Sequence, residues 1–276
     1  MDAETTTLLL TLVPLLLVVG AFAGILAGLL GVGGGIVVVP ALYHIFGYLD
    51  VADAVRMHLA VGTSLATIIP TSIRSVRAHQ SRGSFDAVLF KTWMPGIVVG
   101  VLLGTWLATL ADFSTLTLVF AVVATCVAAY MALGNPSWQA AKQLPSPLLC
   151  QPIAAIIGGI SAMMGIGGGT MSVPVLNLFG VPIHRSVGTA AGFGLIIAVP
   201  GTLGFIVGGW EQPALPEFSI GYVNWLGLAL IVPTTVLTVP LGARLAHSLS
   251  VVGLRRAFAV FLGLTALRMF ADIFGA

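Results

Sequence analysis

The fold class that this sequence predicts is an all-α multipass membrane protein of two inverted repeats. Each repeat is a glycine-broken re-entrant helical hairpin followed by three transmembrane helices. Three observations predict it. Of 276 residues, 58% are hydrophobic and 7% charged, where a soluble domain carries about 25% charged residues, and mean hydropathy is +1.09. Apolar runs at 8–30, 88–110 and 116–133 approach or exceed the roughly 20 residues that a helix needs to cross about 30 Å of hydrocarbon. These runs lack the alternation of a membrane barrel strand, which leaves helices. Finally, three motifs occur twice, in the same order.

Along the chain, the run at 8–30 comes first. The residues before it carry Asp2 and Glu4 where a signal peptide carries Lys or Arg, so it is expected to stay in the mature protein. It leads into "GVGGGIVVVP" (31–40), and the piece after the glycines, 36–47, is roughly 18 Å long as a helix and too short to cross. Three spans are expected next, at 55–77, 87–110 and 115–134. The polar, proline-rich "NPSWQAAKQLPSP" (135–147) reads as a linker. It divides a first repeat, 1–134, from a second, 148–276. The second half breaks at "GIGGGTMSVP" (165–174), where both pieces are short, and continues with spans at 185–209, 220–247 and 251–273. "MHLAVGTS" (57–64) answers to "IHRSVGTA" (183–190), and "LGTWLA" (103–108) to "LGARLA" (241–246).

Lys and Arg gather on the cytoplasmic side of membrane proteins. With the loop between Arg74 and Lys91 in the cytoplasm, Arg74, Arg77, Arg82, Lys91, Lys142, Arg185, Arg244, Arg255 and Arg256 all fall inside. Only Arg56 and Arg268 remain outside. Both termini then face the periplasm, and an odd number of crossings per half inverts the second half, as in many secondary transporters.

Glycine is common where transmembrane helices approach closely, and that is the plainest reading of these clusters. Against it, each glycine in G-x-G-G-G disfavours a helix by about 1 kcal/mol relative to Ala. Non-helical backbone at membrane depth survives only when buried in protein or lining a wet cavity, so the breaks are expected to meet inside. Helices restarting at about Ile36 and Thr170 present free N–H groups and a positive dipole end, which suit an anion. The candidate substrate-binding residues are therefore Gly33, Gly34 and Gly35 with Gly167, Gly168 and Gly169. Thr170 adds a hydroxyl on one side only.

Thr63, Ser64 and Thr189 lie in the first turns after each hairpin, where their hydroxyls reach either the substrate or the preceding turn of their own helix. Arg56 with His58 at the outer mouth, and His184 with Arg185 at the inner one, are candidates for gating or steering an anion. Interfacial anchoring by snorkelling is the competing reading. Gly100, inside a continuous helix, is expected to tolerate a larger side chain with disturbed packing at most. Cys126 and Cys150 read as small buried hydrophobes rather than a disulfide or metal pair. Trp93, Trp106, Trp210 and Trp225 read as belt or packing aromatics.

Several classes are disfavoured. The basic residues sit in short loops and form no stripe for nucleic acid. The chain has no H-E-x-x-H, no G-x-S-x-G and no Cys/His cluster, so neither an enzyme nor a cofactor or metal is expected.

The duplicated glycine–proline segments, "VGTS" and "VGTA", and the closing "VPLGARLAHSLSVVGLRRAFAVFLGLTAL" resemble the TauE/SafE sulfite exporter family over nearly the whole chain. The resemblance implies a bacterial inner-membrane permease, usually an exporter, for sulfite, thiosulfate, sulfoacetate or other organosulfonates. The first-half counterpart, "VLLGTWLATLADFSTL", lacks the arginines of the closing segment. The residues themselves point to a secondary transporter that binds a small anion at the midplane between two half-helix N-termini. A passive anion channel, or a transporter of another small solute, is the alternative.

Overall fold

A computed structural model of the chain describes residues 3–30, 34–134, 141, 143–245 and 251–275. Gly33, most of the linker and residues 246–250 lie outside them. Among the described residues, ten helices make an all-α protein with one small hairpin. In order they are α1 (Ala3–Leu30), α2 (Gly35–Tyr48), α3 (Asp53–Gln80), α4 (Ala87–Leu110) and α5 (Phe113–Leu133), then α6 (Pro147–Met163), α7 (Gly169–Leu178), α8 (Ile183–Gly208), α9 (Trp225–Leu245) and α10 (Val251–Phe274). Among the described residues, five stretches are long and apolar enough to cross a membrane: Asp53–Gln80, Ala87–Leu110, Phe113–Leu133, Ile183–Gly208 and Trp225–Gly242. Large apolar side chains such as Leu102, Leu103 and Leu110 face outward, as a bilayer-embedded surface requires.

The expected helices are present, and their ends follow local chemistry. Asp86 accepts from the Val88 and Leu89 N–H groups, 3.0 Å each, and so starts α4. Asp112 does the same for α5 through the Thr115 N–H at 2.9 Å; such caps satisfy donors that a helix start leaves free. One boundary differs. The span expected from 220 starts at Trp225, because Ser219–Ile220 and Val223–Asn224 form a short antiparallel pair. Gly221 at φ 53° and Phe218 at φ 62° hold left-handed backbone that an α-helix does not accept.

α3 and α8 lie side by side and are the most enclosed of the long spans. Around them α1 runs along α9, α6 along α4 and α5 along α10, so every one of these pairs joins the chain before the linker to the chain after it. Small residues let the backbones touch. A Cβ added to Gly104 would overlap the Gly159 carbonyl oxygen of α6, and one added to Gly242, its counterpart in "LGARLA", would overlap the Ile25 carbonyl oxygen of α1. On the α1–α9 side, Thr235 and Thr238 donate to the Gly20 and Ala21 carbonyls at 3.0 and 2.9 Å.

This packing corrects two expectations. Gly100 does not tolerate a side chain, because its Cβ would overlap the Ala155 carbonyl oxygen across the α4–α6 crossing. Cys126 is exposed on α5 rather than buried, whereas Cys150 is buried. Trp93 is fully buried and stacks on Phe193 at 6.2 Å, while Trp106, Trp210 and Trp225 are exposed.

Candidate functional site

Both helices restart within a residue of the expected positions. Gly34 precedes α2 and Gly168 precedes α7, so the first-turn N–H groups have no partner inside each short helix, although the Val37 N–H bonds the Gly34 carbonyl and the Thr170 N–H the Gly167 carbonyl. The two breaks meet in the interior. Ser64 Oγ, on α3, donates to the Gly165 carbonyl at 2.7 Å. A Cβ on Gly35 would overlap that same carbonyl oxygen and come within 2.9 Å of Ile68 Cδ1.

Beside the second break lies a narrow cavity of about 10 Å³, room for about one water. Gly167, Gly168 and Gly169 form one wall, and Thr71, Ser72 and Ser75 of α3 form another. The remaining lining is Ala27 of α1 with Ala190, Ala191 and Gly194 of α8, and it includes no charged side chain. Ser72 is 2% exposed, and its hydroxyl makes no hydrogen bond among the described residues. Thr170, the residue after Gly169, is 3% exposed, and its Oγ1 has no partner. Burying a hydroxyl unpaired is unfavourable by about 1–3 kcal/mol, a cost that falls on Thr170, which does not line the cavity, whereas the Ser72 hydroxyl faces it.

Other sequence-predicted residues sit elsewhere. Thr63 Oγ1 accepts from the Asn224 N–H at 2.9 Å, and Thr189 Oγ1 accepts from the Asp86 N–H at 3.1 Å. Asn224 Oδ1 in turn accepts from the Gly227 N–H at 2.8 Å at the start of α9, as Asp86 does for α4. Each "VGT" threonine therefore fastens the N-terminus of a helix from the other side of the linker. Sequence reading gave no sign of Asp86 or Asn224 as the partners. It also passed over Thr71, Ser72 and Ser75.

The family model for sulfite exporter TauE/SafE matches residues 16–269. The chain belongs to the sulfite exporter TauE/SafE family. It is 36% identical to a probable membrane transporter protein of Haemophilus influenzae, over 94% of this chain and 98% of the relative. It is 29% identical to a probable membrane transporter protein of Methanocaldococcus jannaschii, over 94% and 96%. Identity to the probable membrane transporter protein YunE of Bacillus subtilis is 25%, over 79% and 83%. No solved structure matches the chain.

In this TauE/SafE protein the four candidate gating residues do not line the cavity. Arg56 pairs with Asp53 and lies over the Tyr43 and Phe113 rings, 5.5 and 5.9 Å from their centroids. His58 is buried, bonded through Nε2 to the Ala108 carbonyl at 3.0 Å and stacked on Tyr222 at 4.8 Å. Arg185 pairs with Asp86, while His184 is exposed. Burial opposes ionisation of Asp86, but hydrogen bonds from the Leu89 N–H and from Arg185 outweigh it and hold the carboxyl below the usual carboxylate range.

Proposed function

We propose that this chain is a secondary transporter, working as an exporter, of a small sulfur-containing anion such as sulfite, thiosulfate or an organosulfonate. The observation that carries the reading is the small cavity where the glycines before α7 face the Ser72 and Ser75 hydroxyls of α3. Free N–H groups and hydroxyls are donors, and a helix N-terminus favours negative charge, so the wall suits an anion without any cationic side chain. Family membership contributes the sulfur. Transport needs no catalytic residue, cofactor or metal.

The reading includes two inverted repeats, 1–134 and 148–276, in a bacterial inner membrane with both termini in the periplasm. Exchange-related contacts support it: Thr63 with Asn224 and Thr189 with Asp86, and the Gly104 and Gly242 crossings, each pair a helix of one half with its counterpart's partner in the other. Alternating access would rock such halves about a shared site. Cysteine labelling at Ser81 and Pro216 is expected to come from opposite sides of the membrane. Labelling of both from one side would end the inverted arrangement.

The function itself is tested on purified protein, by thermal stabilisation across sulfite, thiosulfate, sulfoacetate, sulfate, phosphate and chloride. A ligand of the native state raises apparent stability, and a sulfur oxyanion is expected to do so most. Counterflow in proteoliposomes separates a carrier from a passive anion channel, because only a carrier preloaded with substrate accelerates exchange.

A further inference from the structure

The two breaks have different surroundings, and on the transport reading above the difference selects one of them. Gly35 is closed in by the Gly165 carbonyl, by Ile68 Cδ1 at 2.9 Å and by Ser64 Oγ at 3.0 Å from any Cβ placed there. The Ser64 hydroxyl already donates to Gly165. The second break instead borders the cavity walled by Thr71, Ser72 and Ser75. Counting from Thr63 along α3 and from Thr189 along α8, the positions answering to those three are Ile197, Ala198 and Gly201. Thr170 likewise answers to Ile36, and Gly194 to Ile68. At each of these hydroxyl positions the first-break side carries an alkyl group or a hydrogen.

We infer that the protein has a single, one-sided oxyanion seat between the N-terminus of α7 and Ser72 and Ser75 of α3, and that the first break is a structural brace. The chemistry of the seat narrows its occupant. Neutral N–H and O–H donors recognise an ion with acceptor oxygens on more than one side, fully deprotonated at the face they bind. The rest of the wall is Ala27, Ala190, Ala191 and Gly194, small apolar residues that leave little length beside the donors. The seat therefore fits a compact inorganic oxyanion such as sulfite, and disfavours an organosulfonate whose carbon chain has nowhere to lie. At about 10 Å³ the space must widen to admit the ion, and the α6–α7 hairpin and α3 are the walls that part.

The test is a sulfite titration of the full chain in detergent, read by thermal stabilisation, with sulfoacetate alongside. Ser72→Ala and Ser75→Ala are each expected to weaken sulfite about tenfold, the scale of one hydrogen bond to a charged group. Gly194→Ala, whose Cβ would stand 2.6 Å from Ser72 Oγ, is expected to abolish binding while the ligand-free protein remains monodisperse. Thr92→Ala removes a hydroxyl that only bonds the Val88 carbonyl of its own helix and is expected to change nothing. Wild-type affinity in both serine variants would overturn the seat and leave the anion-transport reading standing. Failure of every anion to stabilise the wild type would overturn that reading and the seat with it. Sulfoacetate binding as tightly as sulfite would overturn the compact-ion assignment.

Discussion

The first break starts α2 from Gly34 in left-handed backbone at φ 75°, whereas Gly168, at the same place before α7, is right-handed at φ −55°. In the second break the left-handed residue is Gly165, at φ 65°, and its carbonyl is the group that plugs the first. The second break thus packs against the first through the Gly165 carbonyl, which faces both Gly35 and the Ser64 hydroxyl. The lesson concerns duplicated sites: a repeated backbone cradle becomes a binding site only where the neighbouring helix supplies donors and leaves space. Here α3 does both for the second break, and α8 does neither for the first. Glycine is needed at both breaks for folding, so replacing Gly34 or Gly168 by Val cannot isolate binding. Gly34 lacks a conformation that a side chain accepts, and a Cβ on Gly168 would press on Phe193 Cβ at 2.6 Å.

The largest effect is expected at the brace. Gly35→Val would drive a branched side chain into the Gly165 carbonyl and the Ile68 terminal methyl, and the carbonyl is backbone that cannot swing away. Loss of monodisperse protein is expected, since overpacking against backbone commonly exceeds about 3 kcal/mol. Gly263→Val supplies the contrast, because a Cβ there meets nothing within 4 Å. A Gly35→Val protein that melts with the wild type would break the comparison at its first step.

Ser64→Ala comes next. It leaves the buried Gly165 carbonyl without the Ser64 hydroxyl, and a loss of about 1–3 kcal/mol is expected, read as a fall in Tm without ligand. An unchanged Tm would mean that the two breaks are not tied through this bond.

Much of this was legible in the sequence, and the parts that were not share a cause. Helix positions follow from apolar length, and the breaks from glycine clusters too dense for a helix, so both were readable locally. Gly100 and Gly263 look alike in sequence, yet one abuts a backbone and the other meets nothing. Only the neighbouring helix decides. The partners of Thr63 and Thr189 are far along the chain, and no local pattern announces a hydroxyl that holds another helix's cap. Ser72 and Ser75 look like ordinary helix serines that bond their own preceding turn. The available signal was their departure from the repeat, since Ala198 and Gly201 stand at the equivalent positions.

Smaller effects probe where the halves do agree. Thr63→Val and Thr189→Val each remove one acceptor for a cap residue's N–H and are expected to lower stability by about 1 kcal/mol apiece. Melting temperatures that fall by clearly unequal amounts would show that the two fastenings are not equivalent.

The smallest difference lies between their caps, because Asp86 titrates and Asn224 does not. With the Asp86 carboxyl held below its usual range, its stabilisation is complete above the unfolded value of about 3.9 and is lost as pH falls through the lower folded value. Melting curves from pH 7 downward are expected to decline below about pH 4 in part through this group. Asp86→Asn is expected to flatten that part of the decline, and an identical acid profile in the variant would remove Asp86 from the account.

The central claim, one seat at the second break and a brace at the first, is tested most directly by locating the ion itself. Selenite has the charge and pyramidal shape of sulfite, and selenium gives an anomalous X-ray signal. In crystals of the full chain grown with selenite, the account places the selenium peak between the Gly168 and Gly169 backbone and the Ser72 hydroxyl, with no peak beside Gly34 and Gly35. A peak at the first break, or two peaks of similar height related by exchange of the halves, would contradict it.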